Sequence, residues 1–415
     1  MTTHQFSERE TKALEIVAST VLTRNGDVWI VPSQSGAKEY TADPHPESPR
    51  CSCPDFEYRQ LRCKHIYAVE IVLRREVTVS SDGQTQTVTE TLTVKQKYTQ
   101  EWSAYNKAQT NEKAHFIEFL HQLCSGIEEP IQANGRPRLP LADIIFAATY
   151  KTYSTVSGRR FASDLRDALA KGYISKLPSY NSMFDYFNMA SLTPYLKQLI
   201  TESAQPLKAV EEDFAVDSSG FSTGQFMRWF DVKYGTKEDR RQWLKLHLCC
   251  GVKTNIVTSV QVTDGHASDY NQFKPLVDQT ANSGFTMKEI SADKAYLGGT
   301  NILASLQRGA IPYIPFKSNS VSGGNGVYAH SEVWTRMFHF YSYHRAEFLQ
   351  HYHKRSNVET TFHMIKSKFG QRLRSKSLTA QIKEALCKVL CHNLCVVIQS
   401  MYELNIAPEF CREAA

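Results

Sequence analysis

At 415 residues with 41% hydrophobic content, the chain is too long for one ordinary domain and apolar enough to bury a sizeable core, so two or three folded units are expected. Its 48 Lys and Arg against 42 Asp and Glu leave a formal charge of +6, a mild bias towards polyanions that does not by itself identify nucleic acid. No basic-then-apolar stretch at the N-terminus reads as a signal peptide, and no uninterrupted apolar run nears the ~18 residues of a membrane span; the expectation is a soluble, cytoplasmic protein with no membrane partner.

In chain order, Ser7 and Glu10 form an S-x-x-E capping box ahead of Ala13, Leu14 and Val17, which predicts a short opening helix. Two strand-like runs follow, Val28–Val31 and Glu39–Ala42, joined by a Ser/Gly turn. They lead into Cys51-x-Cys53 and then Cys63-x-His65, with helical spacing beginning near the second pair. Four soft or borderline ligands in two close pairs suit tetrahedral zinc in a closed, structural site. A local disulfide would leave His65 and the paired spacing unexplained. Residues 1–76 therefore read as a small ββα zinc module, whose folding energy should come mostly from the metal.

Residues 77–100, rich in Thr, Val, Ser and Gln with few large apolar groups, read as a linker in preference to an isolated hairpin, which would be marginal in water. Between 101 and 207 the pattern turns helical, as in Phe116, Phe119, Leu120 and Leu123, with cations such as Arg138, Lys151, Arg159, Arg160 and Arg166 interspersed. For any one of these cations a solvated helix face and a DNA contact are equally good readings.

From 208 to 404 the texture is that of a mixed α/β sheet flanked by helices. Strands are predicted at Phe214–Val216, Trp243–Leu248, Ile256–Val262 and Lys288–Ala292, then a helical stretch to Arg308 and the apolar Ile311–Pro315. Long helices close the chain, at about Phe348–Phe369 and Ala380–Leu404, before a tail over residues 405–415. Asp217 and Asp293 each follow a short apolar run, where strand ends direct side chains into a shared crevice. Taken singly, either aspartate is more often a turn residue or helix cap than a metal ligand. Asp231, Asp264, in a Thr-Asp-Gly turn, and Asp269 are competing carboxylates, and Asp264 is read as a turn residue.

A third segment carries more information. On one continuous helix at ~100° per residue, Tyr352, Arg355, Glu359 and Lys366 would share an arc of roughly 60°, beside an apolar stripe of Val358, Phe362, Ile365 and Phe369. Charges alone would fit a solvated amphipathic helix with an i, i+4 ion pair.

These residues match the Y-x2-R-x3-E-x6-K signature, and with Phe214-Ala215-Val216-Asp217-Ser218-Ser219-Gly220-Phe221, Val262-Thr263-Asp264-Gly265 and Ala292-Asp293-Lys294-Ala295-Tyr296 the C-terminal half resembles the DDE transposases of insertion sequences. The resemblance implies a ribonuclease-H-like core in which Asp217, Asp293 and Glu359 hold two Mg2+ or Mn2+ ions and Tyr352, Arg355 and Lys366 contact DNA. It further implies cleavage at transposon ends and strand transfer into target DNA, a homodimer on double-stranded DNA, a nucleoid-associated location and no small-molecule cofactor. Around residues 20 to 75, Cys51, Cys53, Cys63 and His65 with Cys-Pro-Asp-Phe and Lys-His-Ile resemble a SWIM zinc finger. A DNA-binding protein derived from such an enzyme but catalytically silent is the alternative.

Overall fold

The computed structural model of the chain describes residues 8–80, 101–223, 243–323 and 332–410, apart from residues 27, 35–37, 46–47, 133–134 and 136. Two compact units result, residues Met1–Thr99 and Gln100–Ala415.

The first unit opens with helix α1 (Glu8–Ser19), which buries Ala13 and Ile16; the predicted cap, Ser7, lies outside the described residues. An antiparallel meander follows in sequential order: β1 (Thr23–Asn25), β2 (Val28–Pro32), β3 (Glu39–Asp43) and β4 (Arg50–Cys51). Alternation along β2 turns Trp29 and Val31 inward, the period-2 pattern of a half-buried strand. Pro54 starts α2 (Pro54–Arg59), and Gln60 in the left-handed region (φ 52°) stops it. Helix α3 (Lys64–Ser80) completes the unit by packing on α1 and β3. The predicted pair of strands and the helix are present, with two short strands and α2 in addition. Because α3 continues to Ser80, it enters the stretch expected to be linker, of which residues 81–100 lie outside the described residues.

The second unit begins with five helices: α4 (Trp102–Ser125), α5 (Leu141–Ser154), α6 (Gly158–Ala170), α7 (Tyr180–Phe187) and α8 (Leu192–Ser203). Then come β5 (Asp213–Ser222), β6 (Trp243–Gly251), β7 (Val257–Asp264), α9 (Tyr270–Asn282), β8 (Glu289–Ala292), α10 (Gly299–Gln307) and β9 (Ile311–Tyr313). Helices α11 (Glu332–Tyr343), α12 (Arg345–Tyr352), α13 (Ser356–Phe369) and α14 (Leu378–Glu403) close it. The sheet order is β7-β6-β5-β8-β9, with β5, β6 and β7 antiparallel and β8 and β9 parallel to β5. This mixed sheet between helices is the ribonuclease-H-like architecture.

Side-chain parity gives the sheet two faces. Ser259 Oγ donates to the Leu276 carbonyl of α9 on one, and Thr361 of α13 donates to Cys250 on the other. The stripe Val358, Phe362, Ile365 and Phe369 is buried, as its spacing predicts. Helix α14 packs on α4, α5 and α8 and also reaches β6, β7 and α13, so the helical residues 101–207 share one hydrophobic core with the sheet. By length and composition α14 could cross a membrane, but 78% of its apolar window is buried within this core.

Candidate active site and metal centre

Strands β5 and β8 pair from Asp213–Glu289 to Val216–Ala292, where the ladder ends. The next residues on the two parallel neighbours are Asp217 and Asp293, so both carboxylates emerge side by side where the sheet opens. Asp217 is nevertheless not at a strand end: β5 continues to Ser222, held on its other edge by β6. Asp217-Ser218-Ser219-Gly220 has the composition of a turn, and the β6 ladder overrides it.

The Asp217 carboxylate accepts hydrogen bonds from the Ser218 N–H (2.8 Å) and Arg355 Nη1 (2.6 Å). Arg355 Nη2 donates to Glu359, so one guanidinium bridges two carboxylates. Asp293 caps a 3-10 turn and accepts from the Lys294 N–H at 2.6 Å. Burial pushes the Asp217 carboxyl above its ordinary range; the Ser218 N–H and Arg355 oppose this, while the charges of Asp293 and Glu359 add to it. Arg355 stands between Asp217 and Glu359, and the three carboxylates are not gathered into a cluster of the kind that the Cys/His set of the first unit forms. Oxygen-only donors of this kind fit a hard divalent cation.

Tyr352, Arg355, Glu359 and Lys366 do not lie on one helix. A 3-10 turn over His353–Arg355 separates α12 from α13, putting Tyr352 at the end of α12 and Glu359 in the first turn of α13. The i, i+4 relation of Arg355 to Glu359 survives, and the Arg355 guanidinium sits 5.9 Å from the Tyr352 ring centroid. Lys366 donates to Ser219 Oγ (2.6 Å) and lies 5.2 Å over the Phe221 ring, which fixes it along β5 beyond Asp217. Asp264 is exposed and accepts from the His266 N–H at 2.8 Å, the turn role expected of it.

On the opposite face, Asp269 organises a set of residues that sequence reasoning missed. It accepts from Ser218 Oγ (2.8 Å) and Lys245 Nζ (2.7 Å), with His247 Nδ1 3.3 Å away. His247 is fully buried, 2.9 Å from Thr263 Oγ1, and burial pushes it down to about 4, leaving it neutral. Burial also raises the Tyr296 hydroxyl, with Asp269 and Asp217 adding to the shift. Only the register, Ser218 opposite His247 and Gly220 opposite Lys245, brings these groups together; the alternation of Lys245 and His247 along β6 was the available signal.

In the first unit, Cys51, Cys53, Cys63 and His65 are buried, and their ligand atoms all lie within 4.8 Å of one another. Among the described residues no other group of three or more Cys, His, Asp or Glu does so. His65 Nδ1 is 3.8 Å from the sulfurs of both Cys51 and Cys63. The hydrogen bond from Cys51 pulls Cys63 down to about 3, while the same bond and burial raise Cys51 and burial raises Cys53. Packed thiols that cannot all ionise without a cation between them, plus one imidazole, fit Zn2+.

Residues 208–394 match the family described as Transposase DDE domain, and residues 28–74 match SWIM zinc finger. A cryo-EM structure of a piggyBac transposase synaptic complex with hairpin DNA is similar at 11% identity and a TM-score of 0.34, over 73% of this chain and 75% of that one. That likeness is too slight to argue from.

Proposed function

We propose that the protein is a DNA transposase that cuts at transposon ends and joins the freed strand to target DNA, a reading supported by the match of residues 208–394 to the Transposase DDE domain and of residues 28–74 to the SWIM zinc finger. The observation that carries this reading is the emergence of Asp217 and Asp293 from adjacent parallel strands one residue past their last pair, with Arg355 linking Asp217 to Glu359. In it, Asp217, Asp293 and Glu359 are the ligands for two Mg2+ or Mn2+ ions. Divalent ions held there would activate the attacking oxygen and stabilise the leaving one in phosphodiester displacement.

The chain's own residues supply position and charge. Arg355 offers a planar fork that can grip two phosphate oxygens once it leaves the carboxylates, and Lys366 adds a point charge on the same face of β5. Tyr352, its ring centroid 5.9 Å from the Arg355 guanidinium, would contact DNA beside it. Synapsis of two ends implies a homodimer on DNA, which mass photometry of the protein with an end duplex would reveal as two chains per complex.

The deciding experiment incubates purified protein with an end-bearing duplex and Mg2+ or Mn2+, beside Glu359→Gln. Wild type should cleave and join, and the variant should lose at least ~100-fold while still binding DNA. Binding by both proteins with cleavage by neither would point instead to a silent DNA-binding descendant.

A further inference from the structure

Residues 360–383, from just after Glu359 to just before Glu384, hold six Lys and Arg and no Asp or Glu. In their middle, the connection from α13 to α14 is fixed by side chains from the first turns of α14. Lys388 Nζ donates to the carbonyls of Gly370 (2.7 Å) and Arg372 (2.8 Å). Glu384 accepts from the N–H groups of Arg374 (2.9 Å) and Ser375 (2.8 Å), and Gln381 donates to the Ser375 carbonyl (3.0 Å). All three anchoring side chains belong to buried residues. Burying a lysine and a glutamate in a packed helix is costly. The arrangement makes physical sense if the backbone of this loop must be held still.

The outer edge of the loop bonds to the end of β5: the Ser222 N–H donates to the Gln371 carbonyl (3.2 Å) and the Leu373 N–H to the Ser222 carbonyl (2.9 Å). Leu373 points into the core while Arg374 and Lys376 are exposed. Arg374 Nη1 reaches the Thr155 carbonyl, which brings the loop against the start of α6. There Arg159 and Arg160 are exposed, in a stretch, residues 144–163, that also contains no acid. The Arg159 guanidinium lies 5.8 Å from the Tyr180 ring centroid.

We propose that this loop, residues 370–376, and the adjoining Arg159 and Arg160 form a preorganised track for the phosphates of duplex DNA, separate from the contacts of Tyr352, Arg355 and Lys366. The identification of DNA as occupant rests on the transposase reading, and the charge pattern suits it: exposed cations from two distant segments, with the nearest loop carboxylate, Glu384, buried beneath the loop and bonded to its N–H groups, and a backbone that loses little freedom on binding. Five strand positions separate Asp217 from Ser222, ~17 Å at ~3.3 Å per residue.

The test uses the full chain and measures the salt dependence of its affinity for a 30-bp duplex by fluorescence anisotropy. The triple variant Arg159→Ala/Arg160→Ala/Lys376→Ala should flatten the slope of log K against log salt by about 2.7, three contacts at ~0.9 each. Removing the same charge at the exposed Lys107, Lys208 and Lys274 should leave the slope near wild type. An unchanged slope in the first variant, or an equal loss in the control, overturns the proposal, and so does capture of an acidic protein by the track with no change in DNA binding. Cleavage by wild type tests the other reading separately: normal cleavage with an undiminished slope in the variant sinks the track alone, whereas a flattened slope without any cleavage keeps the track and sinks the transposase.

Discussion

Arg355 is the residue on which most of the site's electrostatics turn. Its two terminal nitrogens are committed to Asp217 and Glu359, and with a side chain 20% exposed it is screened less than a surface pair. It occupies, in charge, the place that a divalent cation would take. Removing it should therefore move two affinities in opposite directions. Arg355→Ala should bind Mn2+ more tightly in the absence of DNA, on the order of tenfold, because no guanidinium has to be displaced. The same variant should bind end DNA more weakly and cut it poorly. Isothermal titration with Mn2+ reads the first effect and anisotropy the second; weakening of both would mean that Arg355 supports the fold and not the balance of charge. Lys cannot substitute, since one ammonium lacks the fork that spans both carboxylates.

At the scale of elements, α14 carries both the apolar mass of the second unit and several buried polar groups. His392 is the one whose consequence falls on the acid side of neutrality; burial also pushes Lys388 down, to about 8. It is 3% exposed, its Nε2 lies 2.9 Å from the Asn255 carbonyl, and burial pushes it down to about 4. With a folded pKa below the unfolded value of ~6.5, the unfolded chain takes up the extra proton, so the contribution of His392 is complete above ~6.5 and is lost as pH falls towards 4. A shift of this size corresponds to roughly 3 kcal/mol. Chemical denaturation of wild type should show that decline between pH 6.5 and 4, and His392→Gln should show a flatter profile; parallel profiles would contradict the assignment. A second element-level test concerns Glu211, whose buried carboxylate holds the N–H groups of Lys253 and Thr254 at the β6–β7 turn. A Cβ at Gly251 would sit 2.2 Å from its carboxyl carbon, so Gly251→Ala should destabilise by about 2 kcal/mol in the same denaturation assay.

Elements were legible in the sequence where hydrophobic period decides them. The stripe of α13, the strand-like run of β2 and the apolar runs of β5, β6, β7 and β8 were all read at the right places. The break at His353–Arg355 was not, because no Gly or Pro marks it. Neither was the passage of β5 beyond Asp217, since it depends on a ladder with β6 whose register no local pattern reveals. For the same reason the signature residues Tyr352, Arg355, Glu359 and Lys366 could be named, whereas Asp269 could be named only as a competing carboxylate and its partners Ser218, Lys245 and His247 not at all: their meeting is a product of register.

For the molecule as a whole, the first unit has a core of few large side chains gathered around its Cys/His set, while the second has an extensive core of its own. Their stabilities should respond to different reagents. A zinc chelator should release about one metal ion per chain and abolish the melting transition of the first unit, leaving that of the second unmoved. Cys63→Ser should reproduce this without chelator; a single transition shifting as one in both experiments would show that the units melt together. Within the second unit, α4, α5 and α8 all lean on a helix that lies more than 170 positions further along the chain. On the ribosome those helices emerge with their greasy sides uncovered and must wait for residues up to about 400 before they can close. A message interrupted anywhere ahead of that point leaves the second unit without the helix its first helices close on, so the catalytic half is completed by its last long helix or not at all.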